Sequence, residues 1–340
     1  TLDVSGAFGD PDTSDVLTFS DGGTLPPGLT IDANTGIISS TLDSSASSGG
    51  PYTVVITAED LSGATVTQSF TWTVNNPGPD AQDDTFAANE DDGAVAVGNA
   101  ILNNDSDPDG DALMTQVQSG IVGSQGGLFS IAANGQVTFD TNGDFEDLAA
   151  GETRQTSFTY TLVDADGATS TATVTVTVTG ENDTPITMGT ISSQTNNDSD
   201  AVTLDVSGAF GDPDTSDVLT YSAGGTLPSG LTIDANTGII NGTLAPSASA
   251  SGPYTVVITA EDSSGATVTQ TFTWTVNNPG PVAQDDTFAA NEDDGSGVVG
   301  NAILNNDSDS DGDVLTTQVL SGVVGSQGGL FSMTANGQVT

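Results

Sequence analysis

The chain has 340 residues, 46 of them Asp or Glu against one basic residue (Arg154), with no His and no Cys, so its net charge is −45. Nucleic acid is excluded as a partner because nothing cationic is present to neutralise phosphates, and an anionic membrane surface would repel the chain. Disulfides and the usual Ser or Cys catalytic triads are excluded too, while 35% hydrophobic residues and 42 Gly leave enough apolar surface for packed cores.

The first residues, Thr1-Leu2-Asp3-Val4, return as Thr203-Leu204-Asp205-Val206, and the match then runs without a gap to Thr340. The two copies differ at about 22 of 138 paired positions. Each unit splits into two modules, A (1–78 and 184–280) and B (79–183 and 281–340). The first A is incomplete at its start, lacking the counterpart of 184–202. The second B is incomplete at its end, lacking the counterpart of 139–183. The expectation is a window on a longer tandem array, or modules completed by strands from a neighbour. No apolar run approaches the length of a membrane span and no signal peptide is apparent.

Module A is clearest in its second copy. Short strands are expected at Val202–Val206, Val218–Ala223 and Leu231–Asp234, with turns at Leu227-Pro228-Ser229-Gly230 and Asn236-Thr237-Gly238. Tyr254–Glu261 alternates, with Tyr254, Val256, Ile258 and Ala260 on one face. Ala266–Val276 places Val268, Phe272, Trp274 and Val276 on one face and threonines on the other. Period two over that length predicts strands with one buried and one wet face. Trp72 and Trp274 are expected in the core, with sugar stacking as the alternative.

Module B follows the same plan, with strands at Arg154–Asp164 and Thr171–Thr179 joined through Asp164-Ala165-Asp166-Gly167. Each module is expected to have about seven short strands. The fold class is therefore all-β, as tandem immunoglobulin-like antiparallel β-sandwiches in an extended array. The linkers, Asn75-Asn76-Pro77-Gly78-Pro79 and Gly180-Glu181-Asn182-Asp183-Thr184-Pro185, are short and stiffened by proline.

The acids fall in clusters. Asn104-Asp105-Ser106-Asp107-Pro108-Asp109-Gly110-Asp111 returns at 306–313, supplying Asp307, Asp309, Asp311 and Asp313. Carboxylates so close repel one another, and a hard divalent cation, Ca2+ above all, offsets them. The other reading is an acidic loop that water alone solvates. The spacing fits the first half of an EF-hand loop, but Gln116 stands where a bidentate Glu is required and no helical pattern flanks the loop. Asp107, Asp109, Asp111 and Asp164 are expected to meet at one pole of B. In A, Asp212, Asp214 and Asp262 are expected to meet near Asn182 and Asp183, with Asp10, Asp12 and Asp60 as the counterparts in the first copy.

The segments GDPDTSDVLTYS, LTIDANTGII, ITAED and ENDTP of module A resemble cadherin repeats, and more closely the bacterial cadherin-like and putative-Ig modules of the dystroglycan type. Module B, through AQDDTFAANEDDG, ILNNDSDPDGD and YTLVDADGATSTATVTVTVTG, is similar to VCBS-type or bacterial cadherin-like repeats. The resemblance implies that Asp212 and Asp214 form the Asp-x-Asp pair, that Asp262 is the acid ending the penultimate strand, that Asn182 and Asp183 belong to the linker motif, and that Glu90 is the acid of the first strand. The sequence departs from that pattern in the A-to-B linker, Asn-Asn-Pro rather than Asn-Asp-Asn, and in the first strand of the second A, which has no matching Glu; the expectation is that the A-to-B junction holds fewer ions or relies on Asp285, Asp286 and Asp307 to Asp313 instead. The function implied is a calcium-rigidified stalk or filament segment of a bacterial extracellular adhesin, on the cell surface or secreted. Its partners would be neighbouring modules of the same chain or identical chains. The alternative is a module that binds carbohydrate or another surface polymer, a surface glycan then being a partner. Catalysis is not expected, since the acids group within loops rather than facing one another across a cleft.

Overall fold

The computed structural model describes residues 1–340 apart from Thr13 and Thr226 and the side chains of Leu102, Asn103, Leu304 and Asn305. Among the described residues nearly every regular element is a strand; the exceptions are short 3-10 turns and two single-turn α-helices, Ala100–Asn104 and Ala302–Asn306. The chain divides into two compact units, Thr1–Glu181 and Asn182–Thr340.

In the first unit, the first A module (A1) sets two three-stranded sheets face to face. One contains Leu2–Asp3, Ile37–Ser40 and Leu29–Ile31. The other contains Thr18–Ser20, Tyr52–Glu59 and Thr65–Trp72. Alternation decides what lies between them: Val54, Ile56 and Ala58 are at most 1% exposed and join Val4, Phe19 and Ile38. The first B module (B1) is the fuller sandwich. One sheet runs Gln118–Val122, Leu128–Ile131, Gln136–Asp140, Val95–Asn99, and the other runs Asp84–Asn89, Thr169–Thr179, Thr153–Val163, Met114–Thr115.

The two long strands of B1 pair antiparallel from Thr153↔Thr179 to Val163↔Thr169. Val174, Val176 and Val178 point inward and are fully buried, while the intervening threonines remain outside the core. Each such valine contributes about 1.5–3 kcal/mol of apolar burial. Phe129 lies between Phe139 and Phe158, both ring centroids 4.7 Å away, and the aromatic block fills the centre of the module.

In the second unit, the second A module (A2) has a four-stranded sheet of Gln194–Asn197, Thr267–Asn277, Tyr254–Glu261 and Thr220–Ser222. Opposite lies a three-stranded sheet of Ala201–Asp205, Ile239–Thr243 and Leu231–Ile233. Trp274 is fully buried and its indole N–H donates to Asn196 Oδ1 at 3.0 Å, so its one polar atom is satisfied inside the core. The second B module (B2) carries one sheet of Gly300–Asn301, Gln338–Val339, Leu330–Met333 and Leu320–Val324. Among the described residues Phe331 is 50% exposed, whereas its counterpart Phe129 is 0% exposed.

Two features depart from the sequence expectation. The first long strand of B1 and that of A2 run parallel to the last strand of their module: Asp84–Asn89 along Val174–Thr179, and Gln194–Asn197 along Trp274–Asn277. Side-chain alternation is the same in parallel and antiparallel pairs, so direction was invisible to it. Also, a helical turn does precede each acidic loop. Asn99 Oδ1 accepts the N–H of Ile101 at 3.1 Å and nucleates Ala100–Asn104. Five residues are too few for a hydrophobic period to show, and no helix follows the loop, whose next element is the strand Met114–Thr115.

Because Phe139 is fully buried in B1, Phe139→Ala should destabilise this module by about 3–5 kcal/mol. Calorimetry should show the B1 transition falling while a transition from A2 stays in place.

Candidate metal centres

In B1 the acidic loop folds around Asp107. Its Oδ1 accepts the N–H groups of Asp109, Gly110 and Asp111 at 3.0, 3.2 and 3.3 Å. Gly110 sits at φ +85°, a backbone conformation that only glycine adopts without strain. Asp107 Oδ2, Asp109 Oδ1 and Asp111 Oδ2 are all sealed from solvent without a hydrogen-bond donor.

Asp164 follows the strand Thr153–Val163, near enough for its charge to act on Asp111. Its Oδ1 accepts the N–H groups of Asp166 and Ala168 at 3.0 and 2.8 Å, and its Oδ2 accepts the side-chain amide of Asn76 at 2.7 Å. Asn76 belongs to the A1–B1 linker, and its own Oδ1 is likewise buried without a donor. A second A1 contact is made by Ser47, whose hydroxyl donates to Asp166.

The electrostatics record the crowding. A hydrogen bond to Asp107, then burial, then the charges of Asp107 and Asp111 push Asp109 up to about 6. Burial and the charges of Asp166, Asp107 and Asp164 raise Asp111. Asp107 ends lower than usual: burial opposes ionisation, but the Asp109 carboxyl and the loop N–H groups outweigh it.

Asp105 has a different occupation. It accepts the Gln82 N–H at 2.8 Å and the phenol of the fully buried Tyr160 at 2.9 Å. Burial raises its pKa, and these two donors partly offset the rise. Asp307 likewise takes the Gln284 N–H, at 2.8 Å. Within one loop, then, the first acid anchors the strand wall and the next three form the candidate ligand group. In B2 the loop repeats this pattern in part. Asp309 Oδ1 accepts the Asp311 N–H at 3.1 Å, and Asp311 Oδ1 accepts the Asp313 N–H at 3.4 Å. Asp313 and Asp285 are exposed.

In A2, one carboxylate oxygen each from Asp212, Asp217 and Asp262 lie within 4.8 Å of one another. Asp214 is 1% exposed; its Oδ2 accepts the Asp183 N–H at 3.0 Å and its Oδ1 has no donor. Asp262 Oδ1 is held by Ser264 and Ala266, and its Oδ2 accepts the Asn182 side-chain amide at 3.1 Å. The structure thus gathers Asp212, Asp214, Asp262, Asn182 and Asp183. Burial, followed by neighbouring carboxylates, raises Asp212 and Asp214. The addition is Asp217, brought back by a turn in which its N–H donates to the Asp214 carbonyl at 3.0 Å. A1 gathers the corresponding trio Asp10, Asp15 and Asp60, again within 4.8 Å. Asp12, named with Asp10 and Asp60 from the sequence, is exposed there. The signal for Asp15 and Asp217 was present as Asp-Pro-Asp-Thr-Ser-Asp, in which a turn returns the third acid to the first.

Glu90 follows the strand Asp84–Asn89, is 2% exposed, and accepts the Glu181 N–H at 2.6 Å. A2 has no Glu in this place, as read from the sequence, but an Asp stands there instead. The strand Gln194–Asn197 ends at Asp198, 3% exposed, where Asp84–Asn89 ends at Glu90. The local bonding is the same too: Asn89 N–H donates to Asp92 and Asn197 N–H donates to Asp200, both at 2.7 Å. The shared pattern is Asn, acid, any residue, Asp. It was hidden because one copy uses Glu and the other Asp.

No basic side chain answers these acids. Arg154 is bound to Asp147 at 2.6 Å and lies over the Phe145 ring. Trp274 is enclosed in the core and unavailable to a sugar. No described helix is long and apolar enough to cross a membrane.

Sequence and structure comparisons place these modules. Residues 1–75 and 184–277 match the family described as Putative Ig domain, 76–180 match Bacterial cadherin-like domain, and 277–340 match Bacterial Ig domain. Of the two readings for module B, the bacterial cadherin-like one is matched over 76–180. No curated protein matches the chain. Among solved structures, mouse cadherin-23 EC22-24 is similar at 17% identity over 79% of this chain and 89% of that one, with a TM-score of 0.46. Mouse protocadherin-24 EC1-3 is similar at 19% identity over 77% and 91%, with a TM-score of 0.42. The human desmocollin-1 ectodomain is similar at 18% identity and a TM-score of 0.37; this chain is covered over 84% and spans 59% of that ectodomain. Domains of the matched families are adhesion or stalk-type building blocks rather than enzymes. This chain is a tandem of bacterial cadherin-like and immunoglobulin-like modules.

Proposed function

We propose that the chain is a structural segment of a bacterial extracellular adhesin or surface fibre, built of four modules (1–78, 79–183, 184–280 and 281–340) and stiffened by Ca2+. The observation that carries this reading is the set of buried carboxylate oxygens with no hydrogen donor, in a chain whose one basic residue is engaged elsewhere. A buried acceptor left unsatisfied costs about 1–3 kcal/mol, and more when charged. A hard cation with six to eight oxygen ligands removes that cost at several oxygens at once.

The ligands proposed for B1 are Asp107, Asp109, Asp111, Asp164 and Asn76. For A2 they are Asp212, Asp214, Asp217, Asp262, Asn182 and Asp183. Linker residues appear in both sets, so an ion at each would fix a linker against a module and limit its swing. Extracellular modules of this affinity class hold Ca2+ with dissociation constants of about 10⁻⁴–10⁻³ M. Such sites would fill outside a cell, where calcium is millimolar.

Calcium at about 100 times the dissociation constant adds about 2.7 kcal/mol per site, so EDTA should lower the melting temperature by roughly 10 °C or more. Small-angle scattering should broaden in EDTA as the linkers loosen. Sodium chloride at matched ionic strength separates bound ions from general screening of the −45 charge. Melting and scattering curves that do not change between calcium and EDTA would overturn the reading.

Acid should act in the opposite direction on the two forms. Asp109 titrates near 6 in the folded, cation-free protein, well above an unfolded aspartate. Between these two values the folded state binds more protons than the unfolded one, so stability falls as pH rises through about 4–6. The EDTA-treated protein should therefore gain stability on going from pH 7 to pH 5. Over the same range the increment from calcium should shrink as protons compete for the ligands. Thermal melts at fixed ionic strength, with and without calcium, measure both slopes.

A further inference from the structure

We propose that the threonine-lined outer face of the B1 sheet is a docking surface for the same face of a second copy of this chain. The surface is separate from the acid clusters, and the proposal stands whether or not they hold calcium.

In the strand Thr169–Thr179 the inward positions include the buried core valines, and every outward position, from Thr169 to Thr179, is threonine. Its antiparallel neighbour sets Thr153, Gln155, Ser157, Thr159 and Thr161 beside them. On the other side, Thr85, Ala87 and Asn89 stand next to Thr175, Thr177 and Thr179. No charged side chain falls among these outward positions, although the chain carries 46 acids. Glu152 and Asp164 lie beyond the strand ends. Asp83 borders the face, and its Oδ1 is tied to the main-chain N–H of Thr173 at 2.8 Å.

The neutral surface continues past Thr153–Val163. Gln116 and Ser124 donate their N–H groups to the Thr161 and Ser157 carbonyls, both at 3.0 Å. The segment between them leaves Val117 and Val122 largely exposed. No charged residue occurs anywhere between Asp111 and Asp140. A2 has a similar threonine face on Thr267–Asn277, but there Glu261 stands opposite Thr267.

Two copies that each carry a charge of −45 repel one another, so they can approach closely only where both are neutral. The B1 face has no charge to strip of water on contact. Threonine is branched and stiff at its first side-chain torsion, so packing it immobilises little. The charged side chains with which sheets ward off other copies are absent. The strand Thr169–Thr179 has 11 residues. At about 3.3 Å per residue and about 4.8 Å between strands, the face covers roughly 450 Å² per copy. With the Val117 and Val122 flank, a pair of faces buries about 1,000 Å², the lower limit of a specific interface. Such a contact is weak and reversible.

Sedimentation of the full chain in about 1 M sodium chloride, where the Debye length is about 3 Å, should show reversible dimers, with or without calcium. Lowering the salt should weaken them. Thr175→Glu, near the middle of the face, and Thr159→Glu, on the neighbouring strand, should each raise the dissociation constant about tenfold or more by setting like charges against each other, with unchanged far-ultraviolet circular dichroism. Thr175→Val keeps the branched shape without charge and should retain dimerisation. Asn34→Glu adds the same charge on an exposed turn of A1 and should retain it too. A chain that stays monomeric up to about 1 mM, the range of weak interfaces of this size, would overturn the proposal. Dimers unaffected by both Glu variants of the face, or weakened equally by Asn34→Glu, would overturn it as well. None of these outcomes bears on the calcium reading, which the comparison with EDTA decides separately.

Discussion

Carboxylate crowding at the module poles is the constraint on which the rest of the structure depends. Two unit charges 4 Å apart repel by about 1 kcal/mol in water and about 4 kcal/mol at the dielectric of a partly buried site. The loops make the crowding worse by the way they fold. Asp107 and Asp262 each give one oxygen to successive N–H groups, and this fixes a tight turn. Other oxygens of the same loops, among them Asp107 Oδ2, Asp109 Oδ1 and Asp111 Oδ2, are buried without a donor. Local backbone order and electrostatic strain thus come from the same residues.

The sandwich is what turns such loops into groups. In B1 the loop at 105–111 and the turn at 164–167 are more than fifty residues apart in sequence, yet charges from Asp164 and Asp166 act on Asp111. The pairing of Thr153–Val163 with Thr169–Thr179 places that turn at the pole. In A2 the corresponding turn brings Ser264 and Ala266 onto Asp262 and leaves Asp262 Oδ2 for the linker amide of Asn182. Core and site are coupled: the valine and aromatic packing holds the strands in register, and the register decides which acids share a pole.

Much of this could be read from the sequence. Strict alternation in Tyr254–Glu261 matches the observed strand residue for residue, and the threonine-lined strand at 171–179 extends only two residues further, to Thr169. What was hidden depends on distant partners or on turn geometry. Asp105 looks like its neighbours in sequence, but Tyr160, fifty-five residues away, takes its carboxylate. Asp217 joins the trio of acids through a turn that a simple Asp-x-Asp pattern does not encode. Asp198 became visible only when the parallel pairing of Gln194–Asn197 aligned it with Glu90.

The repeat itself shows why local sequence is insufficient. Asp214 is 1% exposed beneath the Asp183 N–H, while the same residue one copy earlier, Asp12, is exposed. Trp274 is enclosed by the strand that carries Asn196, whereas Trp72 is only partly buried. What covers the second pair is the strand Gln194–Asn197 and the linker residue Asp183, segments that have no counterpart among residues 1–78. Desolvation is what makes an acid group demand a cation. At this pole of A2 burial is the first cause that raises Asp214 and neighbouring charges come after it, so the covering segment and the crowding act together. An ion at the proposed A2 site would strengthen the same contacts, Asp183 to Asp214 and Asn182 to Asp262, that enclose these acids.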